Sequence, residues 1–448
     1  MFQRVFDDGL AQASFVIACD RTREAAIVDP RRDIDIYVES ARSNGLTIAY
    51  AIETHIHADF VSGARELNAI GARVIAGPGA GLGYAHHEAR DGERVMVGDL
   101  VLTLLHTPGH TPEHISIRVD EPGAAPRILT GDTLFVGAVG RPDLLGDERA
   151  RQLAGDLYDS LTRKLLTLDD YVQVHPGHGA GSLCGTGIGR EPYSTIGQER
   201  RFNPMLQHRS RNAFVEAVLA DLPETPPYFR RMKAINHDGP PLIGLSTPVG
   251  APPSLASPPA DAVIVDLRAA DAFARAHPAT GINLTFGAKV GYWAGWVISP
   301  DTPIVLIADG ERQAAEATRQ LLRVGLDRIA GWLTFESWTS ARLPVSSFEM
   351  VSVDDLKGAR ARREPFTLLD VRTPQEFSSG HLDGARNVPV GELAAHVGDF
   401  PVDDRAVVIC EGGYRSGLAA SLLARRGVRS VGNVAGGMTA YRAMEGTS

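Results

Sequence analysis

The chain has 448 residues, 44% of them hydrophobic and 22% charged, with a formal net charge of −9 at neutral pH. At ~150 residues per domain this length suggests about three domains of ordinary α/β composition. An acidic balance without a basic run excludes a nucleic-acid binder, and no apolar stretch approaches the ~20 residues that span a bilayer.

Taken in chain order, the first residues, Met1 to Asp8, lack the apolar core of a secretion signal. Thr54-His55-Ile56-His57-Ala58-Asp59-Phe60 follows. His and Asp at two-residue spacing can converge on an ion from one turn after a strand. Phe60, which closes the stretch, coordinates nothing. The apolar strand Val101–Leu105 leads into Thr107-Pro108-Gly109-His110-Thr111-Pro112-Glu113-His114, a Pro/Gly turn carrying histidine. Leu129–Phe135 places Asp132 at a strand end, and Gly140-Arg141-Pro142-Asp143 comes soon after. His175-Pro176-Gly177-His178-Gly179 is a further histidine turn, followed by a small-residue loop that holds Cys184. Cys184 is either a thiol at the pocket mouth or a buried inert cysteine. The three cysteines, Cys19, Cys184 and Cys410, are far apart and offer no disulfide framework, so a cytoplasmic setting is expected.

A Pro/Ser-rich connector is expected over residues 241–259. An internal repeat follows it. Val263–Arg268 matches Thr367–Arg372 at an offset of 104, and His277 and Asn283 match His381 and Asn387 at the same offset. Short β-branched runs alternate with amphipathic stretches such as Arg312–Val324 and Ser416–Arg426, which implies βα units and a parallel sheet in each copy. The copies differ after their Ile-rich strand. The second reads Cys410-Glu411-Gly412-Gly413-Tyr414-Arg415-Ser416; the first reads Ala308-Asp309-Gly310-Glu311-Arg312-Gln313. A cysteine on a Gly-rich turn into a helix lies among backbone N–H groups at positive potential, which favours a thiolate and an anion bound above it. Arg415 adds a fixed charge suited to sulfite or thiosulfate oxygens. Ala308 has no thiol, and Trp293, Trp296, Trp332 and Trp338 all fall in that first copy, where they serve either core packing or an interdomain surface.

The histidine motifs resemble the metal-binding loops of a metallo-β-lactamase-type αββα sandwich. Within that superfamily, residues 1–204 are similar to the persulfide dioxygenases. The resemblance implies one Fe(II) per chain held by His55, His110 and Asp132, with positions left open for a thiol persulfide and O2. His57, Asp59 and His178 then orient ligands and water from outside the coordination sphere, and Arg141 lies near the active site. Many members keep a histidine where Phe60 stands. The loop around Cys184 does not provide the glutathione contacts of some members, which leaves the thiol carrier open. The Cys410 loop resembles the rhodanese (sulfurtransferase) active loop. Asp370-Val371-Arg372, Gly380-His381-Leu382 and Gly436-Gly437-Met438 complete that resemblance.

The expected organisation is an αββα domain at 1–240, the connector, a silent rhodanese-like domain at 260–345 and an active one at 350–448. The implied chemistry oxidises a low-molecular-weight persulfide to sulfite and passes sulfane sulfur through Cys410, within the loop Glu411, Gly412, Gly413, Tyr414 and Ser416, to give thiosulfate. The direction of sulfur flow is open. No nucleic-acid or membrane partner is expected, and self-association is. Two alternatives stand: a Zn(II) thioester hydrolase of the glyoxalase II type, against which Phe60 speaks, and a sulfur carrier whose only chemistry is at Cys410.

Overall fold

The computed structural model describes residues 1–220, 222–244 and 250–445. Two compact units divide the chain: Met1–Val249 with Leu322–Gly325, and Gly250–Leu321 with Leu326–Ser448.

The first unit is built on two six-stranded sheets. One runs in the order β1 (Phe2–Asp7), β2 (Gln12–Ala18), β3 (Glu24–Val28), β4 (Thr47–Ile52), β5 (Arg73–Ala76) and β6 (His87–Glu88). The other contains β7 (Glu93–Val97), β8 (Leu100–His106), β9 (Ile115–Asp120), β10 (Arg127–Gly131), β13 (Gln173–Pro176) and β14 (Ser194–Thr195), in the order β14-β13-β10-β9-β8-β7. A short hairpin, β11 (Leu134–Phe135) and β12 (Ala138–Val139), lies between β10 and β13 in sequence.

Alternation explains the layers. Every residue of β2 is buried, because its two faces enter two different cores. Ala13, Phe15 and Ile17 join Leu102, Leu104, Ile115 and Ile117 in the core between the sheets. Val16 points the other way, into a core shared with Tyr37 on α1 (Asp35–Ser43) and Leu67 on α2 (Ala64–Ala69). Beyond the second sheet, Leu157 and Leu161 of α3 (Asp147–Arg163) pack with Phe214 of the helix Arg211–Ala220. Each such side chain contributes ~1.5–3 kcal/mol by leaving water. Helix, sheet, sheet, helix is the expected αββα sandwich. β8, β10 and β13 point the same way, since β9 is antiparallel to β8 and β10 while β10 and β13 are parallel. Their C-terminal ends therefore open onto one edge, where the loops that follow converge.

The second unit holds two all-parallel sheets. The first is β17 (Gly281–Asn283), β15 (Val263–Asp266), β18 (Ile304–Ile307) and β19 (Ile329–Leu333), in that order. The second is β21 (Glu349–Val351), β25 (Ser430–Val434), β24 (Arg405–Ile409), β22 (Thr367–Asp370) and β23 (Arg386–Asn387). Read from β23, the second sheet repeats the strand order of the first and adds β21 at its edge. An antiparallel pair, β16 (His277–Pro278) with β20 (Val345–Ser346), accompanies the first sheet. The expected amphipathic helices form over Glu311–Arg323 and Tyr414–Arg426.

Of the expected connector, residues 245–249 lie outside the described residues. Its later part is engaged: the Leu255 N–H donates to the Trp332 carbonyl, the Trp332 N–H donates to the Pro253 carbonyl, and Leu255 packs against the Ile264, Val305 and Ile307 core. The tryptophans divide their roles. Trp338 is buried in that core, whereas Trp296 covers Gly391 of the following half, so closely that a Cβ there would lie 2.4 Å from its ring.

Candidate metal centre and sulfur-transfer loop

Asp29 stands at the end of β3 and organises the first loop. Its carboxylate accepts the Thr54 N–H at 2.7 Å and the Thr54 hydroxyl at 2.8 Å. With its proton committed, Thr54 Oγ1 accepts from His55 Nδ1 at 2.9 Å, which leaves Nε2 as the lone-pair nitrogen. His110 is fixed by the same logic: its Nδ1 donates to the Arg141 carbonyl at 2.8 Å. His55 Nε2 lies 3.8 Å from Asp132 Oδ2, and His110 Nε2 lies 3.5 Å from it. All three atoms are buried, and none has a hydrogen-bond partner among the described residues. Buried polar atoms are normally satisfied. Three convergent orphan acceptors of this type fit a cation, and two imidazoles with one carboxylate fit a transition metal. Burial, with help from the neighbouring histidines, holds His55 well below the usual imidazole range, and burial also lowers His110 against the pull of Asp132. Both rings are thus neutral, as ligands must be.

Gly131 makes the approach possible. Its φ is +47°, and a Cβ would lie 2.5 Å from His114 Nε2 and 2.8 Å from Thr54 Oγ1. His114 itself is a brace: its Nε2 accepts the Asp132 N–H at 3.0 Å.

The other expected residues surround this triad. His57 turns to Asp29 Oδ1 at 3.2 Å and Glu53 Oε2 at 3.1 Å. Burial would lower its pKa, but the Asp29 charge and hydrogen bond, with Glu53, outweigh that and bring it to about 10. Burial pushes the Glu53 carboxyl up, so Asp29 is the principal counter-charge. Phe60 is fully buried, and its ring centroid lies 4.3 Å from that of His57. His178 bridges two carboxylates, Asp132 Oδ1 at 2.7 Å and Asp59 Oδ2 at 2.8 Å. Against the opposing effect of burial, those charges raise it well above the usual range. Arg141 forks Asp143 and reaches Thr225 and the Leu183 carbonyl. Cys184 is buried beside Phe135 and Ala138, and burial, aided by the Asp59 charge, pushes its thiol up to about 12. His175 lies apart, stacked on Tyr193 with the Phe2 ring tilted against it.

Among the described residues, three buried clusters bring ligand-type atoms within 4.8 Å of one another: His55/His110/Asp132, Asp59/His178/Cys184 and Asp29/Glu53/His57. The second and third are internally hydrogen-bonded. The first is the one whose ligand atoms are all unpartnered.

The second site lies at the end of β24. Cys410 is buried, its Sγ accepts the Gly413 N–H at 3.1 Å, and Ser416 Oγ lies 3.3 Å away. The Tyr414–Arg426 helix begins directly after Gly413, so its N-terminal dipole faces the sulfur. The Gly436-Gly437 pair braces the loop. Met438 N–H donates to the Cys410 carbonyl at 2.8 Å, and a Cβ on Gly437 (φ +58°) would lie 2.3 Å from that oxygen. Arg415 is held by both Glu376 oxygens at 2.6 and 2.7 Å. Glu411 accepts from Arg372, Arg442 and Thr439, so it anchors the loop. Gly412 is exposed, and the Tyr414 hydroxyl is buried without a partner among the described residues.

Several working residues escaped the motif reading. Asp29 had a signal: it follows an apolar strand, as Asp132 does. Asn236 had none, yet its amide donates to the His57 and Phe60 carbonyls and accepts the Ser62 N–H, pinning the metal loop from a helix far along the chain. Glu376 and Lys233 likewise become visible only in three dimensions.

Comparison with known proteins matches this geometry. Residues 7–178 match the metallo-beta-lactamase superfamily model, and residues 352–444 match the rhodanese-like domain model. A Staphylococcus aureus structure described as a metallo-beta-lactamase is 34% identical with a TM-score of 0.66, covering 75% of this chain and 98% of that one. The mitochondrial persulfide dioxygenase of Bos taurus is 27% identical over 213 residues, 46% of this chain and 76% of the relative. A hydroxyacylglutathione hydrolase of Polaromonas is 35% identical over 177 residues, 37% of this chain and 61% of the relative. Sandwich, convergent ligand atoms and cysteine loop lead to one assignment: the chain belongs to the metallo-beta-lactamase superfamily and carries a rhodanese-like domain C-terminal to the sandwich.

Proposed function

We propose that this chain is a mononuclear Fe(II) persulfide dioxygenase joined to a sulfurtransferase, with a silent rhodanese-like domain between them. One observation carries the reading. Three orphan atoms, His55 Nε2, His110 Nε2 and Asp132 Oδ2, converge while the neighbouring His57 and His178 are committed to carboxylates. That is a single two-histidine, one-carboxylate set. Similarity to the persulfide dioxygenase of Bos taurus supports the same chemistry. Iron at this triad supplies open coordination positions and redox capacity. The overall reaction is R–S–SH + O2 + H2O → R–SH + SO3²⁻ + 2H⁺. His178, held between Asp132 and Asp59, keeps a proton next to the reacting centre and fixes the ligand carboxylate.

At the second site the Cys410 thiolate attacks the sulfane sulfur of a donor, forming a Cys410 persulfide as the donor's thiolate leaves. Sulfite then takes the terminal sulfur, giving thiosulfate and restoring the thiolate. Gly413 N–H and the helix N-terminus stabilise sulfur-centred charge at both stages. Joining the two activities raises the effective concentration of each product at the other site.

A second reading, a two-zinc thioester hydrolase, is favoured by similarity to the hydroxyacylglutathione hydrolase and by the Asp59/His178/Cys184 cluster. Metal analysis with activity separates the two. Iron at about one per chain, with persulfide-dependent O2 uptake, supports the dioxygenase. Zinc at about two per chain, with thioester cleavage and no O2 uptake, overturns it. In the dioxygenase, His110→Ala abolishes O2 uptake and leaves thiosulfate:cyanide sulfurtransfer intact.

A further inference from the structure

The helix Pro227–Asp238 carries Asn236, which pins the metal loop, and one turn earlier Lys233. Lys233 lines a cavity of about 270 Å³ together with Ile56, Thr111, Glu113 and Leu145. Ile56 and Thr111 are the chain neighbours of His55 and His110, so two of its wall residues belong to the loops that carry the triad. Two polar groups on its wall are buried without a hydrogen-bond partner among the described residues: Lys233 Nζ and Thr111 Oγ1. The carboxylate in the same wall, Glu113, spends Oε1 on the Ile56 N–H at 2.8 Å and makes no ion pair with Lys233. Burial lowers the Lys233 pKa to about 8, opposed chiefly by the Glu113 charge.

A buried ammonium without an acceptor is costly. Surface lysines avoid that cost by reaching water, and Lys233 Nζ does not. We infer that Lys233 and Thr111 form a binding corner for the negative group of the substrate, either the persulfide sulfur itself or a carboxylate on its thiol carrier. The two sources share one chemistry: a compact anion accepts from the ammonium and from the hydroxyl at the entrance to the metal site. The apolar wall from Ile56 and Leu145 suits the methylenes between sulfur and carrier. This inference rests on the proposed persulfide chemistry only for the identity of the ligand; the corner itself is a property of the sandwich.

The test uses the full-length, metal-loaded protein and the variants Lys233→Met, Lys233→Arg and Thr111→Val. Two thiols differ by a carboxylate, 3-mercaptopropionate and 2-mercaptoethanol. Their binding is measured by calorimetry, and their persulfides are compared by O2 uptake. Lys233→Met is expected to raise KM by about tenfold or more with little change in kcat, as for loss of a charge-assisted hydrogen bond, and Lys233→Arg is expected to recover most of it. If only the carboxylate-bearing thiol and its persulfide lose affinity, the corner holds the carrier. If both persulfides lose affinity equally, it holds the sulfur. Unchanged binding and KM for both, in a Lys233→Met protein with wild-type melting temperature and metal content, overturns the inference. A wild-type protein that consumes no O2 with either persulfide overturns the dioxygenase reading instead, and the calorimetric comparison of the two thiols then still decides the corner.

Discussion

The two halves of the second unit share a frame and differ in a loop. In each, an Asp-x-Arg pair at the end of the first strand forms an intramolecular fork, Asp266–Arg268 and Asp370–Arg372. In each, an asparagine amide bonds the carbonyls of that pair, Asn283 to Asp266 and Arg268, Asn387 to Asp370 and Arg372. In each, a histidine stacks on a phenylalanine four residues earlier, with centroids 4.0 Å apart for Phe273–His277 and 3.7 Å apart for Phe377–His381. None of these contacts touches a reacting sulfur. The loops do diverge. Cys410 accepts from Gly413 N–H, and Arg372 extends its fork to Glu411 of the loop. At the matching place Ala308 has no side-chain acceptor, Gln313 occupies the Asp309 N–H, and Arg268 lies over Phe335 at 3.6 Å. The shared contacts hold a fold, and chemistry is added or lost through the few residues between one strand and one helix.

The largest expected effect tests that division directly. Cys410→Ser should lower thiosulfate:cyanide sulfurtransfer by at least ~10³-fold, as loss of a nucleophile does, while O2 uptake persists and sulfite accumulates in place of thiosulfate. Adding Ala308→Cys to that variant should restore nothing, because the first loop has Asp309 and Gln313 where the second has the anchored Glu411 and Arg415. Recovery above ~1% of wild-type turnover would show that the frame, and not the loop, carries catalysis.

The forks supply the next contrast. Asp370→Asn removes the inner carboxylate of the buried Arg372 and leaves only Glu411 of the loop as its counter-charge; it should cost about 3 kcal/mol in chemical denaturation, with sulfurtransfer lowered as Arg372 turns from its fork toward Glu411. Asp266→Asn leaves Arg268 less buried and still over Phe335, so a loss of about 1 kcal/mol is expected with sulfurtransfer unaffected. Equal losses of sulfurtransfer in the two variants would mean that the first half contributes to the active loop.

The smallest effect concerns pH. Burial would raise Glu376, but Arg415 and the Thr373 backbone N–H outweigh it and bring its pKa to about 2, from an ordinary 4.5. A depressed carboxylate stabilises the fold above its unfolded value, so this contribution is complete above pH 4.5 and disappears as pH falls through about 2. Glu376 is partly exposed, so Glu376→Gln should cost no more than about 1 kcal/mol at neutral pH. The difference from wild type should shrink steadily in denaturation curves taken from pH 5 toward pH 2. A difference that grows on acidification would place the charge elsewhere.

Local pattern alone went far here. Strand-to-turn junctions ending in His55, His110, Asp132 and Cys410 were legible because each places a chemical group where a strand's hydrogen-bonding run stops, and alternation along β2 and β10 dictates which face is core. The 104-residue offset likewise announced a repeat, and the two parallel sheets share one strand order. Other properties depend on residues far apart in the chain, which no window on the sequence joins. His57 turns away from the triad because Asp29 arrives from another strand end and joins Glu53, four residues before His57, in holding the ring. Asn236 and Lys233 reach the metal loop from a helix about 180 residues later. Arg415 is held by a glutamate from another helix. Residue type and spacing determined which groups could do chemistry. Packing decided which of them kept a free lone pair or a bare charge, because burial forces every polar atom to find a partner and exposes the few that have none.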